Sequence, residues 1–531
     1  MRKTTLPFSQ VTALSKSDIA YSKLDARLRP FYAFTPELSS FEAVLAQKSA
    51  QSFPRADLHA ALQKQYQSLP PQEAVQKNIT ALLHEHTYTI VTAHQPGLFL
   101  GPLYFIYKAI SAINLAEIAT ENAGGKAQVI PVFVLGAEDH DVEEVNKTWL
   151  FGKQIAWNPE ETGPVGNMRT ESLAAPLAEL QAILGESEAA QALFERVRAA
   201  YQNAETFADA TQALLHDFLG ARGLVVLNMN EPTLKRHFIP IMKAELTEQT
   251  SYSLVNQSIE SLSELGFKPQ ATPREINLFY MRPGIRERIV LENGRYQVLN
   301  TEYVFTPEEM MAEVEQHPEY FSPNVVLRPL FQETILPNLG YVGGGGELAY
   351  WLERKTQFEH FKVPFPMLIR RHSALWLEQD ATKKLEKFGF TAAEFFEDTD
   401  ALIRSFVEKN APVEVNLESE INAVKDLYQQ IAEKAKAVDP TLEKAVLAES
   451  VKTASGLEQW QGRLIRAEKQ KHETTLNQIR ALKEKLFPNG GLQERHDNFL
   501  PYYLKYGEAF LEALLAGFEA FEPGFLVLEL D

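Results

Sequence analysis

The chain contains no cysteine in 531 residues. That excludes disulfides, a thiol nucleophile and any zinc or iron–sulfur site built on thiolates. Positive charge is scarce as well. Lys and Arg total 52 against 70 Asp and Glu, a net charge of −18, so the average surface repels phosphate backbones and no nucleic-acid partner is expected. No run approaches the ~18 apolar residues that span a bilayer, and Met1-Arg-Lys-Thr-Thr-Leu-Pro lacks the apolar core of a signal peptide. The expectation is a cytoplasmic protein with no membrane partner. Histidines such as His84-Glu85-His86 do not make the HExxH spacing of a zinc protease, so a metal site is the less favoured reading.

What the chain does have is a strand–helix–strand stretch from Tyr88 to Asp141. Tyr88-Thr-Ile-Val-Thr-Ala93 reads as a buried strand broken at His94-Gln95-Pro96-Gly97. After Gly101-Pro102 the spacing of Leu103, Ile106, Ile110, Ile113 and Ile118 is helical, ending at Gly124-Gly125. A second apolar run, Val129–Leu135, stops at Glu138-Asp139-His140-Asp141. Parallel strands joined this way carry ligands outside their carboxyl ends, so both polar groups should meet at one rim.

At this length two or more domains are expected. Residues 1–87 read as a helical layer over the core. Residues 88–377 form an α/β core, interrupted near 150–222 and 240–320. In the first interruption Ala189–Leu219 has helical spacing. In the second, Ile276–Met281 and Glu287–Leu291 alternate around a hairpin at Asn293-Gly294. Val325–Leu327 and Tyr341–Val342 are candidate strands. Residues 378–487 are helical and charged. The stripe Ile421, Val424, Leu427, Ile431, Ala435 can pack on Leu457, Trp460, Leu464 and Leu482 after a turn at Asp439-Pro440. If unbroken from Thr441 to Phe487, the second helix would be roughly 70 Å long. Residues 488–531, ending in Phe525-Leu-Val-Leu-Glu-Leu530, should dock on the core.

Four segments carry candidate chemistry. His94, Gln95 and Gly97, with Lys108 downstream, surround a helix start that can hold an anion. Glu138, Asp139, His140 and Asp141 can hold an ammonium or hydroxyls, work as acid and base, ligate a cation, or simply cap the next helix. Ser322-Pro-Asn-Val-Val-Leu-Arg328, with Gln332, leads into Gly343-Gly344-Gly345-Gly346-Glu347 and Tyr350. There Arg328 can pair with a carboxylate or phosphate, and the glycines allow close backbone approach. Gln493, Glu494 and Arg495 with Tyr506 can meet a base and a phosphate, although a solvated helix start is the more ordinary reading of the segment. Asn228 follows a further apolar run, Leu224–Leu227.

In their order along the chain, His94-Gln-Pro-Gly-Leu-Phe-Leu-Gly-Pro, Glu138-Asp-His-Asp, Ser322-Pro-Asn-Val-Val-Leu-Arg-Pro, Gly343-Gly-Gly-Gly-Glu-Leu-Ala-Tyr and Leu492-Gln-Glu-Arg resemble the bacillithiol biosynthesis cysteine-adding enzymes. The family more often has Gln-Gln where this chain has His94-Gln95, and Gly-Pro-Gly within its glycine loop. The resemblance implies a Rossmann-like parallel-sheet core related to class I aminoacyl-tRNA synthetases, two inserted connecting segments, and an α-helical coiled-coil domain that makes a homodimer. It implies a ligase that joins the cysteine carboxyl to the amine of glucosaminyl-malate, the last step of bacillithiol synthesis. The other reading is a non-catalytic or regulatory protein that binds a nucleotide or sugar in a synthetase-like cleft. The synthetase motifs are not intact: Phe99-Leu-Gly-Pro102 stands where His-x-Gly-His would be, and Leu368-Ile-Arg370-Arg371-His372-Ser373 is the nearest basic segment to Lys-Met-Ser-Lys-Ser. An adenine nucleotide (ATP or ADP) is implied in a second pocket, with Gln493, Glu494, Arg495 and Tyr506 assigned there. In the core cleft, Glu138 or Asp141 would take the amine, Arg328 or Lys108 the malate, and His140, flanked by Asp139 and Asp141, the proton.

Overall fold

A computed structural model describes residues 2–411, 416–522 and 524–529. Of the expected segments, residues 1, 412–415, 523, 530 and 531 lie outside this range. The chain forms two compact units, one of residues 3–375 with 493–528, the other built on residues 376–492.

Among the described residues, the larger unit is organised on a five-stranded parallel sheet of β1 (Thr87–His94), β2 (Gln128–Leu135), β3 (Val225–Asn228), β4 (Asn338–Gly343) and β5 (Met367–Arg370). Their order is β5-β4-β1-β2-β3. β1 and β2 are buried almost end to end, as continuous β-branched runs predict for a sheet covered on both faces. Alternation divides their side chains. Tyr88, Ile90 and Val129 pack with Ala112 and Leu115 of helix α1 (Leu103–Asn122). Val91, Ala93, Val132 and Val134 face the other way, onto Leu58, Leu62 and Ile79 of the N-terminal helices.

Two strands follow β1 to one side, and β4 then returns to β1's other side. The direction of winding therefore reverses between β1 and β4, which is where open sheets of this kind bind ligands. The strand ends are in register: His94 stands beside Leu135, and Leu135 beside Asn228. Gly343 of β4 is level with Arg370 of β5.

The first insertion contains helices Glu188–Gln202 and Phe207–Leu219. The second carries an antiparallel sheet that includes Leu278–Arg282, Ile285–Glu292 and Arg295–Val298. Its hairpin turns at Asn293 and Gly294, both with positive φ. Val325–Leu327 is not the strand its side chains suggest. The Asn324 carboxamide accepts the Val326 N–H at 2.8 Å, making a turn, and helix α2 (Arg328–Ile335) begins at once. The strand is Phe321–Pro323. After β4 comes helix α3 (Gly345–Leu352).

The smaller unit holds α4 (Glu418–Val438) and α5 (Leu442–Lys471), an antiparallel hairpin closed by Asp439, whose carboxylate accepts the Thr441 N–H at 2.8 Å. The long second helix is interrupted at His472 and resumes as α6 (Glu473–Leu486). At about 1.5 Å per residue the 30 residues of α5 span roughly 45 Å rather than 70 Å. The expected seam is open along part of its length. Leu427 is 54% exposed, Trp460 57% and Val451 70%.

Candidate active-site cleft

A cavity of about 450 Å³ opens at the carboxyl ends of β1, β2 and β3 and extends past the start of α3. β1 contributes His94 and Gln95 to its wall. The His94 Nδ1 lies 2.9 Å from the Gln95 carbonyl and its Nε2 2.9 Å from the Tyr104 hydroxyl. A nitrogen facing a carbonyl must carry the hydrogen, so Nε2 accepts from Tyr104. Burial, with Lys108 nearby, pulls the imidazole down to about 4. His94 is thus a neutral, fully partnered ring, not a proton shuttle.

Lys108, one turn into α1 and fully buried, donates to the Ala93 carbonyl at 2.7 Å and meets Glu347 Oε2 at 2.6 Å. Burial lowers this ammonium to about 8 although Glu347 opposes the fall. Glu347 sits in the first turn of α3, where it accepts the Gly344 N–H at 2.9 Å and the Tyr341 hydroxyl at 2.8 Å. Against burial, Lys108 and the Gly344 N–H draw it down to about 2. The pair ties α1 to α3 across the point where the sheet reverses.

Glu138 and Asp139, just beyond β2, supply negative charge. Glu138 Oε1 is 2.6 Å from the Lys235 ammonium, which also donates to the Phe321 carbonyl. Asp139 accepts from Gln95 Nε2 at 2.9 Å and lies 3.5 Å from Arg286 Nη1. Burial works against the Asp139 anion, but Arg286 and Gln95 hold its carboxyl below the usual range. Arg328, at the start of α2, donates to the Tyr350 hydroxyl at 2.8 Å and to Gln332 Oε1 at 3.4 Å. It forms no ion pair among the described residues. Burial opposes its charge, yet Tyr350, Tyr341 and Glu347 raise its pKa. Such a guanidinium has the geometry to pair with a carboxylate in two-pronged fashion.

The chain matches the description "Bacillithiol biosynthesis BshC, N-terminal Rossmann-like domain" over residues 1–372 and "Bacillithiol biosynthesis BshC, C-terminal coiled-coil domain" over residues 374–530. It belongs to the BshC family. Relatives named "Putative cysteine ligase BshC" include those of Flavobacterium johnsoniae, 38% identical over 96% of both chains, and Christiangramia forsetii, 38% over 94% of both. The Bacillus cytotoxicus relative is 27% identical over 93% of this chain and 94% of its own. The Rossmann-like sheet and the helical second unit accord with both BshC descriptions.

Within this BshC cleft the structure brings together His94, Gln95, Lys108, Glu138, Asp139 and Asn228 from the first half of the chain. Arg328, Gly344, Glu347 and Tyr350 join them from the second. Gly97, Gln332 and Gly345 stand behind the wall; Gly345 packs so closely on Asp18 that a Cβ there would lie 2.1 Å from Asp18 Cγ. His140 faces a neighbouring cavity. Its Nδ1 is 2.6 Å from Arg286 Nη1, and since a guanidinium only donates, the neutral ring keeps its hydrogen on Nε2. Asp141 is exposed, at the N-cap of a four-residue helix.

The segment assigned to a separate nucleotide pocket is divided. Arg495 lines the core cleft itself. Glu494 is buried, and its oxygens accept from Arg371 at 2.8 Å, Ser373 at 3.2 Å and the Ala374 N–H at 3.0 Å. Gln493 is buried, and Tyr506 lies outside the cleft with Lys505 over its ring at 5.0 Å.

Sequence reasoning missed Lys235 and Arg286. Arg286 is an inward-facing charge on an otherwise alternating strand, and that break in the pattern was the available signal. Lys235, on a five-residue helix, gave none.

Proposed function

We propose that the cleft joins the carboxyl group of L-cysteine to the amine of glucosaminyl-malate, closing an amide as the last step of bacillithiol synthesis. The observation that carries this reading is Arg328: charged, braced by Tyr350 and Gln332, and without an acidic partner. It suits a malate carboxylate, while Glu138 and Asp139 on the same cleft suit the amine and hydroxyls of the sugar. The names carried by the relatives supply the cysteine.

The attacking amine must shed a proton. Asp139 is the acceptor in this proposal, because Arg286 and Gln95 keep it ionised and hold it at the cavity wall. A weak base suffices once the amine has added to an activated acyl group, since the resulting ammonium is strongly acidic. His140 holds Arg286, and through it Asp139. Lys108 and Glu347 fix the floor, and neutral His94 orients Tyr104. An adenine nucleotide, when bound, supplies the activation that a carboxylate needs before an amine can displace oxygen from it. The open faces of α4 and α5 favour a homodimer. Purified protein incubated with cysteine, glucosaminyl-malate and ATP should yield a thiol of the mass of the amide. No such product at any pH between 6 and 9 would leave a binding protein with a synthetase-like cleft.

A further inference from the structure

The cleft is lined by a second pair of cations, Arg371 and Arg495. Arg371 follows β5, and its fork is almost fully committed. Nη2 donates to Glu494 at 2.8 Å, and Nη1 to the His372 carbonyl at 2.7 Å and Ser373 Oγ at 3.1 Å. Its guanidinium lies 5.3 Å from the centre of the Tyr104 ring. Of its nitrogens, Nε alone meets no partner among the described residues, although the side chain is 3% exposed. A buried donor left unmade costs about 1–3 kcal/mol, so three anchors that hold Nε–H at a cavity wall imply something to receive it.

That donor points past Gly344, where an added Cβ would sit 3.3 Å from Nε. It therefore faces the start of α3, an eight-residue helix whose first turn presents backbone N–H groups. Glu347 occupies the Gly344 N–H. Gly346 lies on the cleft wall, and a Cβ there would meet nothing within 4 Å. Arg495 lines the same cleft, exposed, and forms no ion pair among the described residues. A fixed donor, an open backbone position at Gly346 and a movable guanidinium line the same cleft.

We propose that Arg371 Nε, the first turn of α3 at Gly346, and Arg495 form a phosphate-binding subsite within the core cleft, distinct from the Arg328 station. Its occupant is the phosphate of a co-substrate. Its role in carboxyl activation rests on the ligase reading, but the site itself does not. A charge-rich tetrahedral anion fits better than a second carboxylate. It can accept from all three directions at once, where a planar carboxylate presents its oxygens in one plane.

Titration calorimetry on the full-length protein tests this, with inorganic pyrophosphate and ATP as separate probes. Because Arg371→Lys also breaks the Glu494 contacts and can unfold the site, the informative variants are Arg495→Gln and Gly346→Ala. The first removes an exposed charge, and the second adds a methyl that only a ligand would feel. Each should weaken pyrophosphate binding roughly 10–100-fold, the loss expected for one hydrogen bond to a charged group, with the thermal melt preserved. If ATP shows the same losses, the phosphate belongs to a nucleotide; if only pyrophosphate does, it belongs to a smaller donor. Affinity unchanged in both variants, or no binding by wild type, overturns the subsite. Pyrophosphate binding that obeys this pattern without thiol product would refute the ligase and leave the subsite standing.

Discussion

Replacing Lys108 by Met keeps its length and removes its charge. The ammonium is fully buried and holds Ala93 O and Glu347 Oε2. Without it, Glu347 keeps two donors, Tyr341 and Gly344 N–H, for a carboxylate that is 23% exposed. Removing one partner of a buried pair typically costs 3–5 kcal/mol. The two remaining donors and the partial exposure place this variant at the low end, about 3 kcal/mol. Glu347→Gln strands Lys108 instead and should cost about as much. The double variant, with neither charge left over, should cost far less than the sum, giving a coupling of at least ~2 kcal/mol. Urea unfolding of the four proteins, followed through the transition of the larger unit, measures this. Additive effects within ~0.5 kcal/mol would refute the argument. The pH dependence has a definite sign. Glu347 lies near 2 in the fold, against an ordinary value of 4.5. Its stabilisation is therefore complete above about 4.5 and is lost as pH falls toward 2. In Lys108→Met that acid limb should move to higher pH. Lys108, at about 8 against 10.5, acts oppositely: its charged form is disfavoured by folding, so its share of stability rises between about pH 8 and 10.5.

Arg328→Lys should raise KM for the sugar substrate about 10–100-fold with a smaller change in kcat, because a point charge cannot reproduce a braced fork; steady-state kinetics with the sugar varied reads this directly. Asp139→Asn should lower turnover by about 10²–10⁴-fold, and His140→Gln by less, since His140 acts through Arg286; equal losses would return His140 to the chemistry. Deleting residues 380–486 should convert a dimer to a monomer in light scattering, and Trp460→Glu should weaken association in the intact chain. The exposed apolar face offers roughly 25 cal/mol for each Å² covered. Asn498→Ala, which leaves the Phe99 and Gly101 carbonyls without their side-chain donor, should reduce turnover more than it shifts the melting temperature.

The stretch from Tyr88 to Asp141 was legible because both of its strands are covered on both faces, so local composition and tertiary burial agree. The rim followed from connectivity alone, since parallel strands must end on the same side. Val325–Leu327 misled because its side chains suit a strand, while the backbone obeys Asn324, whose carboxamide makes the turn. The position of Arg495 could not be read from local sequence. Which cavity a residue enters, more than a hundred positions after the last sheet strand, depends on where the chain returns. The surroundings of His140 were hidden for a similar reason. Its flanking carboxylates are visible in sequence, but Arg286, the partner that fixes its tautomer, is 146 residues away.

The loop between β1 and α1 is held in an unusual shape. Phe99 and Leu100 both have positive φ, at 50° and 63°, a conformation that costs non-glycine residues about 1–3 kcal/mol each. What holds it is largely remote: Tyr201 accepts the Phe99 N–H at 2.9 Å, and the Asn498 amide reaches the carbonyls of Phe99 and Gly101. On the ribosome, therefore, a nascent chain that has already emitted every strand of the parallel sheet still has the loop between β1 and α1 unset. That loop is latched only after nearly five hundred residues have emerged, so a fragment ending before Asn498 keeps the parallel sheet yet lacks the latch.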